Sequence, residues 1–498
     1  MRILRYLFLI TLLVECVCVH SQPQVSLLES LQKIEIPLAE AYLPPPPDTL
    51  SMAFSYDVYR YFYGKTLRDT PRGQQAYDDV DYGINAMCQR MSALLGFELS
   101  PENTPETHNL MLSALQIIGA NCASAKYQFN RVRPFVRFNE KPYTSEKISS
   151  LSKAPSYPSS HSMYAWATAH LLAEVLPQYS DMLLQSAYDY GESRIILGVH
   201  WQSDVNAARL LVDACFARLH AQPIYLEQIA KAQAECQSIL CEKRNKSLAA
   251  TDSLSIITFL PEMPDSTGGL WASDLTTYFK HKEDRTEQRD DVARTDAGAS
   301  VQDLCQNFSK YIEIDISPEA TPYICNLLND LHAAVVRNAE LAKETNWRRR
   351  PFDRLTDPLI TGEDRDSLLQ SSSFPSTHAA LGWATALTLI SINPNKQNEL
   401  LSRAIDYGLS RVVAGTAWPS DVYAGQLMGG STFAALMGSA DFMEALRQAQ
   451  QEYYSISGVS QVPITPDVQS DKFTIDGRRA TPDTKGIIVS AQGKWLIP

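Results

Sequence analysis

Positive charge is in short supply in this sequence: 44 lysines and arginines stand against 56 aspartates and glutamates in 498 residues, a formal net charge of -12. Such a balance repels a polyanion at long range, so nucleic acid is not an expected partner and any anion site must build its positive potential locally. Long apolar runs are missing too. After the first two dozen residues no stretch reaches the ~18 apolar residues of a membrane span, which excludes a span in the processed chain. Metal-ligand spacings are absent: there is no Cys-x-x-Cys and no His-x-x-x-His, so neither a metal nor any other cofactor is expected. Strand-like alternation is scarce outside the C-terminal tail, which leaves an all-α fold.

The 45% hydrophobic and 20% charged composition is that of a globular chain, long enough for two domains. Arg2 and Arg5 followed by the apolar run Tyr6 to Val14 read as a signal peptide over residues 1–21, predicting a periplasmic or secreted protein, with an uncleaved anchor as the alternative reading of the same segment. Removal of that segment takes Cys16 and Cys18 and leaves seven cysteines. Cys305 with Cys325 and Cys236 with Cys241 are candidate local disulfides in an oxidising compartment, although spacing does not fix connectivity.

The dominant organisational feature is a repeat at constant offset. Leu43-Pro-Pro-Pro-Pro-Asp48 returns as Leu260-Pro-Glu-Met-Pro-Asp265, and Ser100-Pro-Glu-Asn-Thr-Pro105 as Ser317-Pro-Glu-Ala-Thr-Pro322, each 217 residues later. The register then holds through the pairs Lys126/Lys343, His161/His378, Arg194/Arg411 and Asp204/Asp421. A period this long is a duplicated domain. The sequence therefore predicts a first unit over 22–236, a linker over 237–259, a second unit over 260–453, each burying its own core, and a short β-rich tail over 454–498. Within a unit the period is helical. Met163, Trp166, Ala167, Leu171 and Val175 share one face behind Ser159 as N-cap, and a second helix starts near Asp181 and stops at Gly198.

Three pieces of the first unit stand in order: Lys126, six residues, Arg133-Pro134; Pro158-Ser159-Ser160-His161; and Ser193-Arg194, five residues, His200, three residues, Asp204. The pattern resembles the three-part signature of the phosphatidic acid phosphatase type 2 (PAP2) and vanadium haloperoxidase superfamily. The Pro-rich opening and the export signal are similar to those of the bacterial class A non-specific acid phosphatases. The resemblance implies a helical-bundle domain that hydrolyses small-molecule phosphate esters. The chemistry of the residues agrees. A phosphoryl group needs fixed cationic donors, for which Lys126, Arg133 and Arg194 are suited, and free N–H groups at a helix start, here at Ser159 and Ser160. His200 is the expected nucleophile through a phosphohistidine, Asp204 four residues on holds its other ring nitrogen, and protonated His161 is the expected general acid. Ser160 departs from the glycine usual at its position.

The second unit keeps Lys343, Arg350, Ser376, Thr377, His378 and Arg411, but Ala417 stands where the nucleophile would be. It is expected to be a non-catalytic unit that keeps the residues of a phosphate pocket, and two readings of it stand: a structural partner that pairs with the first as a pseudo-dimer within one chain, which is the expected one, or a unit that binds a phosphorylated ligand. Two other readings of the whole remain: a vanadium-dependent haloperoxidase, and a phosphate-binding protein without catalysis.

Overall fold

A computed structural model describes residues 26–244, 260–261, 263–264 and 268–457, with the strand segments 473–474, 486–490 and 493–497. The expected signal peptide and most of the expected linker lie outside the described residues. The main helices of the first unit are α1 (Met52–Thr66), α2 (Ile84–Leu95), α3 (Pro105–Phe129), α4 (Ser160–Val175), α5 (Ser180–Ile196), α6 (Gln202–His220) and α7 (Pro223–Arg244). The second unit repeats them as α8 (Gly269–Glu283), α9 (Val301–Ile312), α10 (Pro322–Thr345), α11 (Thr377–Ile392), α12 (Gln397–Val413), α13 (Pro419–Met437) and α14 (Ala440–Ser457). Helix α7 runs eight residues into the expected linker. Three strands, Phe473–Thr474, Gly486–Ser490 and Gly493–Ile497, pair antiparallel in that order; the rest of the expected β-rich tail lies outside the described residues. Among the described residues no helix is long and apolar enough to cross a membrane.

Local chemistry sets the helix ends that matter for function. Ser159 caps α4, its hydroxyl accepting from the Ser162 N–H, as side-chain oxygens do for the orphan amides of a helix start. Pro105 and Pro322 occupy the first positions of α3 and α10, where a missing N–H costs nothing. Helix α5 stops before Gly198, which takes φ +75 and lets the chain turn from Arg194 to His200.

The expectation of two separate cores is overturned. One continuous hydrophobic core contains buried residues of both units. Helix α4 packs against α13 and, reciprocally, α11 against α6, while α1 packs on α8; this exchange is the pattern of a two-fold interface. It also explains why the one-faced reading of α4 falls short. The expected apolar face is buried, but so are Thr168, His170 and Glu174, because the helix is enclosed between its own unit and the other. At the centre Asp213 of α6 accepts from Trp166 Nε1 at 3.3 Å and from the equivalent Trp383 Nε1 at 3.0 Å. Gly430 occupies the position equivalent to Asp213, and a Cβ there would lie 2.0 Å from the Asp213 carboxylate.

Of the candidate disulfide pairs, Cys305 and Cys325 come together with their thiols hydrogen-bonded to each other, and Cys236, Cys305 and Cys325 are all free buried thiols. Burial pushes Cys305 up to about 12 and Cys236 up to about 11, which suppresses the thiolate that oxidation requires. The side chain of Cys241 lies outside the described residues.

Candidate active site

His200 sits one residue before Trp201, the N-cap of α6, and Asp204 is the third residue inside that helix. The four-residue spacing is therefore a capping arrangement and not one turn of helix. Asp204 Oδ2 accepts from the Trp201 N–H at 2.9 Å and faces His200 Nδ1 at 3.2 Å, while Oδ1 accepts from Arg131 at 2.7 Å. Arg131 also donates to Asp57 at 2.6 Å, so the carboxylate is fixed from behind. On the other side of the ring, Arg133 Nη1 lies 3.1 Å from Nε2. A guanidinium can only donate. Nε2 thus carries the lone pair and Nδ1 the proton. Burial, then Arg133, Lys126 and Arg194, hold the His200 pKa well below the usual histidine range, which keeps the ring neutral.

Lys126 and Arg133 are anchored on the loop leading to α4. The ammonium donates to the carbonyls of Pro155 (3.1 Å) and Ser156 (3.2 Å), and Arg133 Nε donates to that of Ala154 (2.9 Å). Burial and the Arg133 charge lower Lys126 to about 8; burial and Arg194 lower Arg133 to about 10. Cations pressed together in this way are relieved by a bound anion. Arg194, fully buried, donates to Glu146 at 2.5 Å, and its Nε has no partner within the protein. Ser159 N donates to the Asp204 carbonyl at 2.9 Å, tying the start of α4 to the start of α6. Ser160 opens α4 with its hydroxyl 3.8 Å from Cys122 Sγ.

His161 Nε2 lies 3.1 Å from the Val80 carbonyl and 3.5 Å from Glu146 Oε1. The carbonyl accepts, so Nε2 holds the proton and Nδ1 is the atom left to exchange one. Burial, Arg194 and His200 push the His161 pKa well down. The charged form assumed from sequence is therefore disfavoured by the protein alone, and a negative charge beside the ring would favour it. Tyr82, 57% exposed, packs against this ring with centroids 4.4 Å apart.

In the second unit Lys343, Arg350, Ser376, Thr377, His378 and Arg411 come together around one cavity of about 270 Å³ that Ala417 also lines. Asp421 has lost its histidine but still accepts from the Trp418 N–H (2.8 Å) and Arg348 (2.5 Å). His378 Nε2 lies 2.8 Å from the Ala297 carbonyl, and its pKa is pushed well down by burial and Arg411. Arg348 is buried between Asp274 and Asp421, so the basic run Trp347 to Arg350 is not a continuous surface patch. Among the described residues no group of three or more His, Cys, Asp or Glu side chains is placed to hold a metal.

Residues that the motif reading missed do the positioning: Glu146 on Arg194 and His161, Arg131 between Asp57 and Asp204, and Asp79 on Ser193. Each recurs unchanged 217 residues later, as Glu363, Arg348, Asp274 and Asp296. The repeat itself held the signal.

A family model described as the PAP2 superfamily matches residues 109–223 and 327–442. A non-specific acid phosphatase of Providencia stuartii is 36% identical over 218 residues, covering 44% of this chain and 87% of that protein. A non-specific acid phosphatase of Salmonella typhi is 37% identical over 198 residues, covering 40% and 79%. An acid phosphatase of Zymomonas mobilis is 30% identical over 196 residues, covering 39% and 74%. Each match takes up about one unit of this chain.

Proposed function

The chain belongs to the PAP2 superfamily, whose domain it carries twice, and on that footing we propose that its first unit is an acid phosphatase acting on phosphomonoesters through a phosphohistidine on His200. The observation that carries the reading is the pair of contacts on the His200 ring. Asp204 accepts the Nδ1–H hydrogen bond and so leaves the Nε2 lone pair among Lys126, Arg133 and Arg194, where the phosphoryl oxygens would lie. Nε2 attacks phosphorus, the ester P–O bond breaks, and His161 gives its Nδ1 proton to the departing alkoxide. Water then attacks the phosphohistidine, losing its proton to His161, and orthophosphate leaves with His200 neutral again. Asp204 stabilises the ring while it carries positive charge.

The second unit, lacking a nucleophile at Ala417, is non-catalytic in this reading and completes the first as the other half of a pseudo-dimer. The basic and apolar leader supports export to the periplasm or beyond. The test is turnover of an aryl phosphate by His200→Ala, with rapid-quench trapping of phosphoenzyme in the wild type. A loss of at least about 10⁴ in kcat and one acid-labile phosphohistidine per chain are expected. Substantial activity in His200→Ala overturns the mechanism.

A further inference from the structure

We infer that the second unit binds the phosphate group of a phosphomonoester, or free phosphate, and holds it without turnover. The inference rests on the reading that the cradle shared by both units recognises phosphate. What carries it is what the second unit retains after losing its nucleophile.

Three cationic side chains, Lys343, Arg350 and Arg411, line the cavity of about 270 Å³ together with Ser376 and Thr377 at the start of α11. Two buried polar atoms of that lining have no partner within the protein: Arg411 Nη1 and Ser373 Oγ, on residues 2% and 1% exposed. An unpaired buried donor costs about 1–3 kcal/mol, more for a charged one, and a tetrahedral oxyanion satisfies both. Burial and Arg350 lower Lys343 to about 8, the same like-charge compression seen around Lys126. A unit kept only for packing gains nothing from this cluster, since apolar side chains of similar volume fill a core as well or better.

The supports of the cradle have also been rebuilt where they changed. In the first unit Asp79 is held by Arg90, which also donates to Ser186. In the second, Asn307 stands for Arg90 and Arg403 for Ser186, so the guanidinium reaches Asp296 from α12 and not from α9. Asp296 still accepts from Ser410 (2.5 Å), and Arg411 still bonds Glu363 (2.6 Å). The arginine has moved and the geometry behind Arg411 has been preserved.

The rest of the lining indicates room for more than the phosphate group. Alanine stands for the nucleophile, Ala299 for Tyr82 and Leu381 for Tyr164. At roughly 30 Å³ per water, the cavity exceeds what one tetrahedral ion fills. His332, where the first unit has Leu115, adds an imidazole whose Nε2 lies 2.9 Å from the Ala299 carbonyl. Nε2 is then the donor, and Nδ1 is left to accept a hydroxyl of the ester's organic part.

The experiment counts sites on the full-length chain by equilibrium dialysis, with labelled inorganic phosphate in one arm and a non-hydrolysable methylene phosphonate in the other. Wild type should bind two phosphates per chain and Arg411→Ala one. Ala417→Phe, which fills the cavity without removing a charge, should also bind one, and circular dichroism checks that both variants fold. Two phosphonates per chain identify the second pocket as an ester site; one phosphonate with two phosphates identifies it as a free-phosphate site. A single phosphate in wild type, lost in Arg194→Ala and kept in Arg411→Ala, overturns the inference, as does a count of two that neither second-unit variant reduces. Turnover lost in His200→Ala with only one site sinks this inference alone. Two sites with turnover surviving in His200→Ala sink the proposed mechanism alone.

Discussion

The two units offer the same scaffold with and without its reactive group, and the difference separates residues kept for chemistry from residues kept for structure. Asp204 orients His200, yet Asp421 persists where no histidine remains. Its other two partners explain why: it caps the start of α13 through the Trp418 N–H and neutralises Arg348. Retention of an acidic residue in a pocket that has lost the histidine it would orient is therefore no sign of surviving catalysis. Retention of Lys343 and Arg411 is harder to attribute to structure, because Arg411, though bonded to Glu363, keeps an unpaired buried Nη1, and Lys343 faces the like charge of Arg350.

The sharpest way to break the comparison is to make the same change in both units. Asp204→Asn should lower kcat by about 10³–10⁴, because the amide no longer holds the correct tautomer, while Asp421→Asn should keep most turnover. Both should lose on the order of 3 kcal/mol of stability with a weakened buried ion pair; steady-state kinetics and urea unfolding of the two variants separate these effects. A second change sharpens the comparison from the other side. In a His200→Ala background, Ala417→His should raise phosphatase activity about tenfold or more above its parent, with no rise if the second cradle is collapsed.

The buried histidines predict a pH dependence common to both units. His161, His200 and His378 have folded pKa values well below the unfolded value of about 6.5, and His170 is lowered to about 3 by burial and His220. Below about pH 6.5 the unfolded chain binds protons that the fold refuses, so stability falls with pH, by about 1.4 kcal/mol per histidine for each unit until the folded pKa is reached. Thermal unfolding from pH 7.5 to 5 should show a falling Tm. A flat Tm would show that these rings are protonated in the fold. The smallest expected effect lies between the units: Gly430→Ala should cost about 1–3 kcal/mol by overpacking against Asp213, read as a shift in urea midpoint.

Much of the site was legible because duplication printed it twice. The offset paired every motif residue, and helical periodicity with Ser159 as cap located α4. Three things were not legible, each for a physical reason. Glu146 lies outside the three motif pieces; its recurrence as Glu363 marks it as repeated, but its role depends on contacts with Arg194 and His161 that no spacing shows. The placement of His200 outside α6 depends on Asp204 capping Trp201, which a four-residue spacing cannot distinguish from a helical turn. The shared core escaped because a repeat reveals that two copies exist and says nothing of which faces meet. Thr168, His170 and Glu174 give α4 a polar side that is nevertheless buried, with His170 against Asp213 and Glu174 against His220 of α6, in a helix that also packs on α13 of the other unit.

The carboxylate of Asp213, shared by Trp166 and Trp383, gives the fused chain a direction. Two identical halves would have to place an aspartate on both sides of that point, where there is space for one, or a glycine on both, which would leave the two indole N–H groups without this acceptor. Neither half can be exchanged for a copy of the other. With Asp213 on one side and Gly430 on the other, each unit is fitted to its partner, and the second, with Ala417 where the first has His200, is not dispensable to the first.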